Sequence, residues 1–182
     1  MGEYAAGAAT RGAGAEGETL MGDMLVKLYE LPDPAPQVRA LRDAGVVVRA
    51  AMPYEKLPVV TWVRAQFGAA WAGECDVAFA RHPVSCFIAV DQGVLAGFAC
   101  HDCTCRNFFG PMGVQAAARG RGIGSALLQC CLHAMAARGY AYAIIGGVGD
   151  GDIYRKVVGA VDIEGSTPGI YRDRLARDPS CG

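Results

Sequence analysis

One short run rich in glycine and arginine limits most strongly what this chain can fold into. The run "ARGRGIGSALL", residues 118–128, follows an apolar stretch and opens a segment whose apolar residues recur at helical spacing. Glycines in such a turn expose successive backbone N–H groups, and a helix start adds unpaired donors and a dipole that favours an anion. Arg119 and Arg121 add positive charge. The pattern predicts a strand–loop–helix unit that binds a pyrophosphate, with a plain glycine-rich helix start as the alternative.

The run differs from two other phosphate-binding loops. The pattern G-x-x-x-x-G-K-[ST] is absent, and the dinucleotide fingerprint G-x-G-x-x-G does not occur at this place. We also expect the preceding strand to lie among antiparallel neighbours, unlike the strand of a βαβ unit. The loop is therefore assigned to neither of those two classes.

The rest of the chain predicts a mixed α/β domain. With 182 residues, of which 52% are hydrophobic, the chain is long enough for one real core. From Val46 onward the patterns predict a strand, two helices, three strands, a long helix, a strand, a short helix and a strand. The long helix runs from about Gly122 to Arg138, and Gly110-Pro111 predicts a bulge in the strand before it. The middle strands form a largely antiparallel meander.

Composition limits the domain extent, the redox compartment and the classes of partner. We expect residues 1–20, rich in glycine and alanine, to be a mobile tail, and residues 21–182 to be a single domain. Eight cysteines in a chain of this size favour free thiols in a reducing cytoplasm. No basic stripe indicates nucleic acid, and no apolar run is long enough for a membrane span.

The loop and its surroundings resemble the acetyl-CoA-binding core of the GNAT superfamily of N-acetyltransferases. In that family an apolar triplet ends the strand before the loop, here Met112 to Val114, and the loop reads [QR]-x-x-G-x-[GA], here Arg119 to Gly124. The run "DIYRKVVGA" is similar to the family element x-Y-x-K-x-G-F, with one extra residue before its glycine and Ala160 in place of the aromatic. The resemblance covers roughly residues 46–163. It implies a GNAT fold, whose mostly antiparallel twisted sheet is splayed where acetyl-CoA binds.

The resemblance also implies a set of site residues. The loop amides would hold the pyrophosphate, and the strand before the loop would pair with the pantetheine arm and polarise the thioester carbonyl. A gap beside "AIIGG" would admit the arm, with Gly146 and Gly147 permitting close approach. The expected cofactor-binding residues are Met112, Gly113, Val114, Arg119, Gly120, Arg121, Gly122, Ile123, Gly124 and Ser125.

Tyr154 aligns with the tyrosine that many GNAT members use as general acid. It would protonate the leaving thiolate of CoA, and a phenol and a thiol have similar ordinary pKa values. The alternative is that its ring only packs on the cofactor strand. The implied reaction is direct transfer of an acetyl group to an amine of a small-molecule or peptide acceptor in a ternary complex. The competing function is a non-catalytic acetyl-CoA sensor, and homodimerisation stays open.

The proton acceptor for the amine and the shape of the acceptor pocket are less defined. Candidates for the base are Glu74, His101, Asp102 and Asp150. Trp62 and Trp71 lie on the two early helices, which shape the acceptor pocket in the family, but core packing is the preferred interpretation for both.

The run "ACHDCTC", residues 99–105, raises the question of a metal or redox site. Structural zinc usually needs a second ligand pair at suitable spacing, which we do not find, so no metal is expected. Alternation along a strand would place Cys100 and Asp102 on one face and His101 and Cys103 on the other. His101 or Asp102 could then face the cleft.

Overall fold

The structure, a computed structural model, describes residues 22–175. Its strands are β1 (Met24–Lys27), β2 (Val46–Ala50), β3 (Cys86–Asp91), β4 (Val94–His101), β5 (Phe108–Val114), β6 (Tyr142–Ile145) and β7 (Val161–Asp162). Its α-helices are α1 (Ala35–Asp43), α2 (Lys56–Phe67), α3 (Ala69–Phe79), α4 (Ile123–Ala137) and α5 (Asp152–Val158). The expected tail over residues 1–20 lies outside the described residues, and the domain boundaries stay a prediction.

The described strands form one sheet in the order β2-β3-β4-β5-β6-β1-β7. Strands β2 to β5 are an antiparallel meander, as the sequence predicts. Strand β1 pairs antiparallel with both β6 and β7. The expectation of purely antiparallel neighbours around the loop is wrong in one respect, because α4 connects β5 to a parallel neighbour, β6. The bulge expected at Gly110-Pro111 is confirmed by a register shift between β4 and β5.

Helices cover both faces of the sheet. Helices α1, α4 and α5 contribute to one core cluster with β1 and β6, and helices α2 and α3 contribute to a second cluster with β3 and β4. The apolar face predicted for α4 is fully buried, with Ile123, Leu127, Leu128, Cys131, Leu132 and Met135 each 0–1% exposed. Because α4 is fixed along this face, its N-terminus is held at the end of β5. No helix within residues 22–175 has the length and hydropathy that a bilayer-crossing segment requires.

Candidate active site

The loop before α4 presents a row of backbone donors. The N–H groups of residues 120–125 donate to no acceptor within residues 22–175, whereas the next amide, that of Ala126, bonds the Gly122 carbonyl at 3.1 Å. Gly120 and Gly122 have φ values of 77° and 82°, in the left-handed region that favours glycine. The loop therefore places unpaired donors at the N-terminus of a 15-residue helix.

The surroundings of the loop suit an anion and leave little room beside one glycine. A Cβ on Gly122 would lie 2.2 Å from Nε2 of Gln37, which also donates to the Gly122 carbonyl at 3.4 Å. Nε of Arg119 donates to the Val114 carbonyl at 3.2 Å, and Arg121 is ion-paired with Asp91. Oriented amides, a helix N-terminus and two guanidinium groups together fit a pyrophosphate.

Strands β5 and β6 separate immediately beyond the point where they meet. Their parallel pairing consists of Phe108 with Ile144 and Phe109 with Ile145. Strand β5 nevertheless stays paired with β4 up to Val114. The sheet thus opens a gap along the last part of β5.

Backbone polar groups of β5 point into this gap. The amide of Gln115 bonds the carbonyl of Ala96 on β4 at 2.9 Å. Because bonding direction alternates along an antiparallel strand, the amides of Met112 and Val114 point away from β4 and into the gap, while that of Gly113 points towards β4. Met112 and Val114 therefore offer an edge on which an extended chain can pair.

Aromatic side chains cover the other side of the same strand. A Cβ on Gly113 would lie 2.5–2.8 Å from ring atoms of Phe67. The Phe67 ring stacks on the Trp71 ring, with 5.3 Å between the ring centroids. Its centroid also lies 5.6 Å from that of Trp62 and 5.6 Å from that of the fully buried Phe98. The two tryptophans are half-buried in this cluster, in accord with the core-packing interpretation.

Tyr154 lies on α5, close to the point where the strands separate. Its ring packs edge-to-face with the ring of Phe109, with 6.4 Å between the ring centroids. Burial, together with the negative charge of Asp150, raises the pKa of Tyr154 to about 12. The hydroxyl donates to no acceptor in the described part of the chain. At neutral pH this phenol is protonated and available as a donor.

The four candidate bases occupy different environments. The carboxylate of Asp150 accepts a bond from the backbone N–H of Asp152 at 3.0 Å, at the start of α5. His101 and Asp102 are each 2% exposed and contact one another, with Nδ1 to Oδ2 at 3.3 Å. Burial lowers the pKa of His101. Glu74, on α3, accepts a hydrogen bond from the Thr104 hydroxyl at 2.5 Å.

Tyr171 is a residue of the site that the sequence motifs do not indicate. A Cβ on Gly146, just beyond β6, would lie 2.5 Å from the Tyr171 hydroxyl, so the expected open approach at Gly146 is instead filled by this side chain. Burial, followed by the charges of Glu74 and Asp23, raises the pKa of Tyr171 to about 12. Tyr171 thus lies where β5 and β6 part, within reach of the negative charge of Glu74. The turn signal at Thr167-Pro168-Gly169 is the one sequence feature that could have indicated a return of the chain here.

Gly147, the second glycine expected at the gap, is held by a side chain. Its φ is 58°, and its amide donates to Oδ1 of Asp23 at 2.9 Å. Asp23 is 8% exposed and precedes β1. The segment after β6 is therefore fastened to the start of β1.

The alternation expected for residues 100–103 is wrong. β4 ends at His101, and Asp102 has a φ of 57°, which breaks the extended geometry. The Cys103 thiol consequently turns back towards that of Cys100, and both belong to the cluster under α2 and α3. Two arginines contact Asp102. Nη1 of Arg138 lies 3.8 Å from its carboxylate, and Nη2 of Arg81 donates to its backbone carbonyl at 2.9 Å.

The sequence model of the acetyltransferase (GNAT) family matches residues 54–152, more than half of the chain. The chain belongs to the GNAT family. The match includes β5, the loop and α4, and it ends two residues before Tyr154. No curated protein matches the chain.

Solved structures share the fold at low sequence identity. A GCN5-related glucosamine N-acetyltransferase region of a fungal multidomain GH3 β-N-acetylglucosaminidase aligns over 78% of this chain and 19% of its own, with 14% identity and a TM-score of 0.65. A GCN5-related N-acetyltransferase from Sphaerobacter thermophilus aligns over 78% of this chain and 48% of its own, with 21% identity and a TM-score of 0.58. The GNAT chain described here thus spans half or less of the length of these two structures.

Proposed function

We propose that this chain is an acetyl-CoA-dependent N-acetyltransferase that moves an acetyl group directly to an amine of a bound acceptor. Acetyl-CoA, when bound, supplies the acetyl group as a thioester. The observation that carries the proposal is the row of unpaired amides from Gly120 to Ser125 beside the gap at β5. The residues proposed to hold the cofactor are those expected from the sequence: Met112, Gly113, Val114, Arg119, Gly120, Arg121, Gly122, Ile123, Gly124 and Ser125.

The two parts of this surface would bind two parts of the cofactor. The loop amides donate to the pyrophosphate, which is fully ionised and gains from the α4 dipole. The gap-facing backbone groups of Met112 and the amide of Val114 pair with the amides of the pantetheine arm, as an added strand would. A backbone N–H aimed into the gap also polarises the thioester carbonyl, where negative charge develops.

Tyr154 is the proposed general acid. Its pKa of about 12 keeps the phenol protonated throughout the neutral range. An ordinary thiol has a pKa of about 8.5, so in water this phenol would be the weaker acid. Burial that destabilises the phenolate also destabilises a thiolate formed beside it. The pKa of the thiol therefore rises towards that of Tyr154. The proton of Tyr154 is therefore directed at the leaving sulfur as negative charge develops there.

Glu74 is the proposed proton acceptor for the amine. Among the four candidates, it is the one whose negative charge raises the pKa of Tyr171, and the Tyr171 hydroxyl reaches Gly146 at the edge of the gap. An amine is mostly protonated near neutral pH and must lose a proton before it can attack. A carboxylate beside the gap attracts the ammonium form and takes that proton directly or through water.

The direct test is release of CoA thiol from acetyl-CoA in the presence of a panel of amines. We expect turnover with at least one class of amine, and a rate lowered by about 10²–10⁴ in Tyr154→Phe with CoA affinity retained. Tyr142→Phe, at an exposed tyrosine on β6, is the matched control and keeps the rate. Background rates across the panel, with CoA still bound, would reject the transferase in favour of the sensor.

A second pair of variants tests the base. Glu74→Gln should lower kcat/KM and remove a limb of its pH profile at low pH, because the carboxylate must be ionised to accept a proton. Asp76→Asn is the control, since Asp76 lies exposed on the same helix and pairs with Lys56. Equal pH profiles for the parent and Glu74→Gln would remove Glu74 from the mechanism.

The cellular compartment and the binding partners are also part of the proposed function. Every cysteine in the described part of the chain is a free thiol, which supports a reducing compartment such as the cytoplasm. We propose a small-molecule or peptide amine as acceptor and a single domain over residues 21–182. Homodimerisation stays open, and light scattering of the purified chain measures it.

A further inference from the structure

Three cysteine thiols meet in the core between the sheet and α3. Cys75 lies on α3, Cys86 on β3 and Cys100 on β4, and their Sγ atoms are all within 4.8 Å of one another. Each of the three residues is 0% exposed. Cys86 and Cys100 are direct cross-strand partners, and Cys75 approaches them from the helix. None of the three has a part in the proposed acetyl transfer.

The donor set at this cluster consists of sulfur alone. Within residues 22–175, no carboxylate or imidazole joins the group of three. The neighbouring buried residues are apolar: Ala51, Val59, Val63, Ala72, Ala78, Ile88 and Phe98. Thiolate ligands select thiophilic ions such as copper(I) and zinc, and exclude magnesium and calcium.

Ligand number separates copper(I) from zinc. Structural zinc is almost always tetrahedral with four ligands, and here the fourth position would have to be filled by water in a site without solvent exposure. Copper(I) is a soft ion that is satisfied by two or three sulfur ligands, so the three thiols complete its coordination without water.

We propose that Cys75, Cys86 and Cys100 form a copper(I) site in which three sulfurs hold the ion. Copper(I) reaches the site as a thiolate complex: the copper–sulfur bonds to the carrier break one after another as bonds to the protein sulfurs form, and each protein thiol that binds as a thiolate loses its proton to a released carrier thiolate or to solvent. No change of oxidation state is involved. The burial of the three thiols then shields the ion from solvent.

Cys103 supplies the entry route. It is half-buried and packs against the cluster that contains Cys100, and its thiol donates to the His101 carbonyl at 3.2 Å. A ligand that contacts both solvent and the cluster allows copper(I) to move inward by stepwise exchange. Cys103 is therefore assigned to loading of the site and not to the final set of three ligands.

The test uses the full chain, reduced and free of oxygen, loaded from copper(I)–glutathione and challenged with bicinchoninate, a chromophoric copper(I) chelator. We expect one copper(I) per chain to be withheld, with an X-ray absorption spectrum of three sulfur ligands and no nitrogen or oxygen. Cys75→Ala, Cys86→Ala and Cys100→Ala should each weaken binding by more than the roughly 10–100-fold typical of changes around a metal site. Cys103→Ala should slow loading and leave the affinity unchanged.

Cys130→Ala is the matched control, because Cys130 is half-buried on α4 and outside the cluster. Thermal unfolding checks that the variants are folded, and the absorption spectrum of the unaltered protein decides the ligand set even if they are not. Loss of copper to the chelator at the rate of free copper–glutathione overturns the proposal. So does an equal loss of affinity in Cys130→Ala, or retention of zinc in preference to copper(I).

Discussion

The substitution Gly122→Ala perturbs the phosphate-binding loop in two ways that the structure separates. The first is backbone strain, since a φ of 82° costs an L-residue about 1–2 kcal/mol. For a chain of this length, that lowers Tm by about 2–8 °C. The second is a collision, because the new methyl group would lie 2.2 Å from Nε2 of Gln37. Either the Gln37 amide or the loop must move.

The effect on CoA affinity follows from the donors that the loop loses. A hydrogen bond to a charged group contributes about 1.5–3 kcal/mol, and each 1.4 kcal/mol is about tenfold in Kd. If the displaced loop turns one N–H away from the pyrophosphate, CoA affinity falls by about 10- to 100-fold. Titration calorimetry with CoA measures the affinity, and thermal unfolding measures the strain.

Two companion variants isolate each cause. Gly139→Ala, after α4, carries similar strain with a φ of 91° and has no atom within 4 Å of the new Cβ, so it should lose stability and keep CoA affinity. Gln37→Ala added to Gly122→Ala removes the collision and should recover part of the affinity. Unchanged CoA affinity in folded Gly122→Ala, or the same loss of affinity in Gly139→Ala, would refute the reasoning.

Three further predictions address neighbouring features. The rate of acetyl transfer should show no alkaline decline near pH 10 from Tyr154, because its protonated form is lost only as pH rises through about 12; a kcat profile to the alkaline limit of stability measures this. The Arg49 guanidinium bonds both oxygens of Glu55, at 2.6 and 2.8 Å, and lowers its pKa to about 2. Glu55→Gln should therefore cost about 1 kcal/mol above the ordinary glutamate pKa and nothing below about pH 2, as measured by denaturant unfolding across pH. Gly113→Ala should destabilise the domain by about 1–3 kcal/mol because the methyl meets the Phe67 ring, and Phe67→Leu should relieve the loss; equal Tm values in parent and Gly113→Ala would contradict this.

The elements with strong local signals could be predicted from the sequence. Helix α4 runs Ile123–Ala137 against an expectation of about Gly122 to Arg138, because its apolar spacing and the glycines at both ends are local features. Helix α1 has a weaker local signal than α4. It is only nine residues long, and Leu41 is its one buried residue in the described structure.

The features that sequence reasoning missed depend on contacts between distant segments. Nothing in the local sequence of β1 indicates that it pairs with both β6 and β7. Cys75, Cys86 and Cys100 come from three elements, so their sequence spacing suggests no site. Tyr171 reaches Gly146 only through the return of the chain after β7. The left-handed backbone of Asp102 ends the alternation of side chains along β4, and a strand pattern in the sequence does not indicate it.

The two-residue contact between β5 and β6 has a consequence for the whole domain. It leaves a four-stranded fragment, β2 to β5, and a three-stranded fragment, β6, β1 and β7, joined by little backbone pairing of their own. A ligand arm that pairs along β5 acts as a partial extra strand and completes the interior of the sheet. At about a hundredfold excess over Kd, such a ligand adds about 2.7 kcal/mol to the free energy of unfolding. The gap-facing amides of Met112 and Val114 should therefore exchange hydrogen readily in the free protein and slow when the ligand binds.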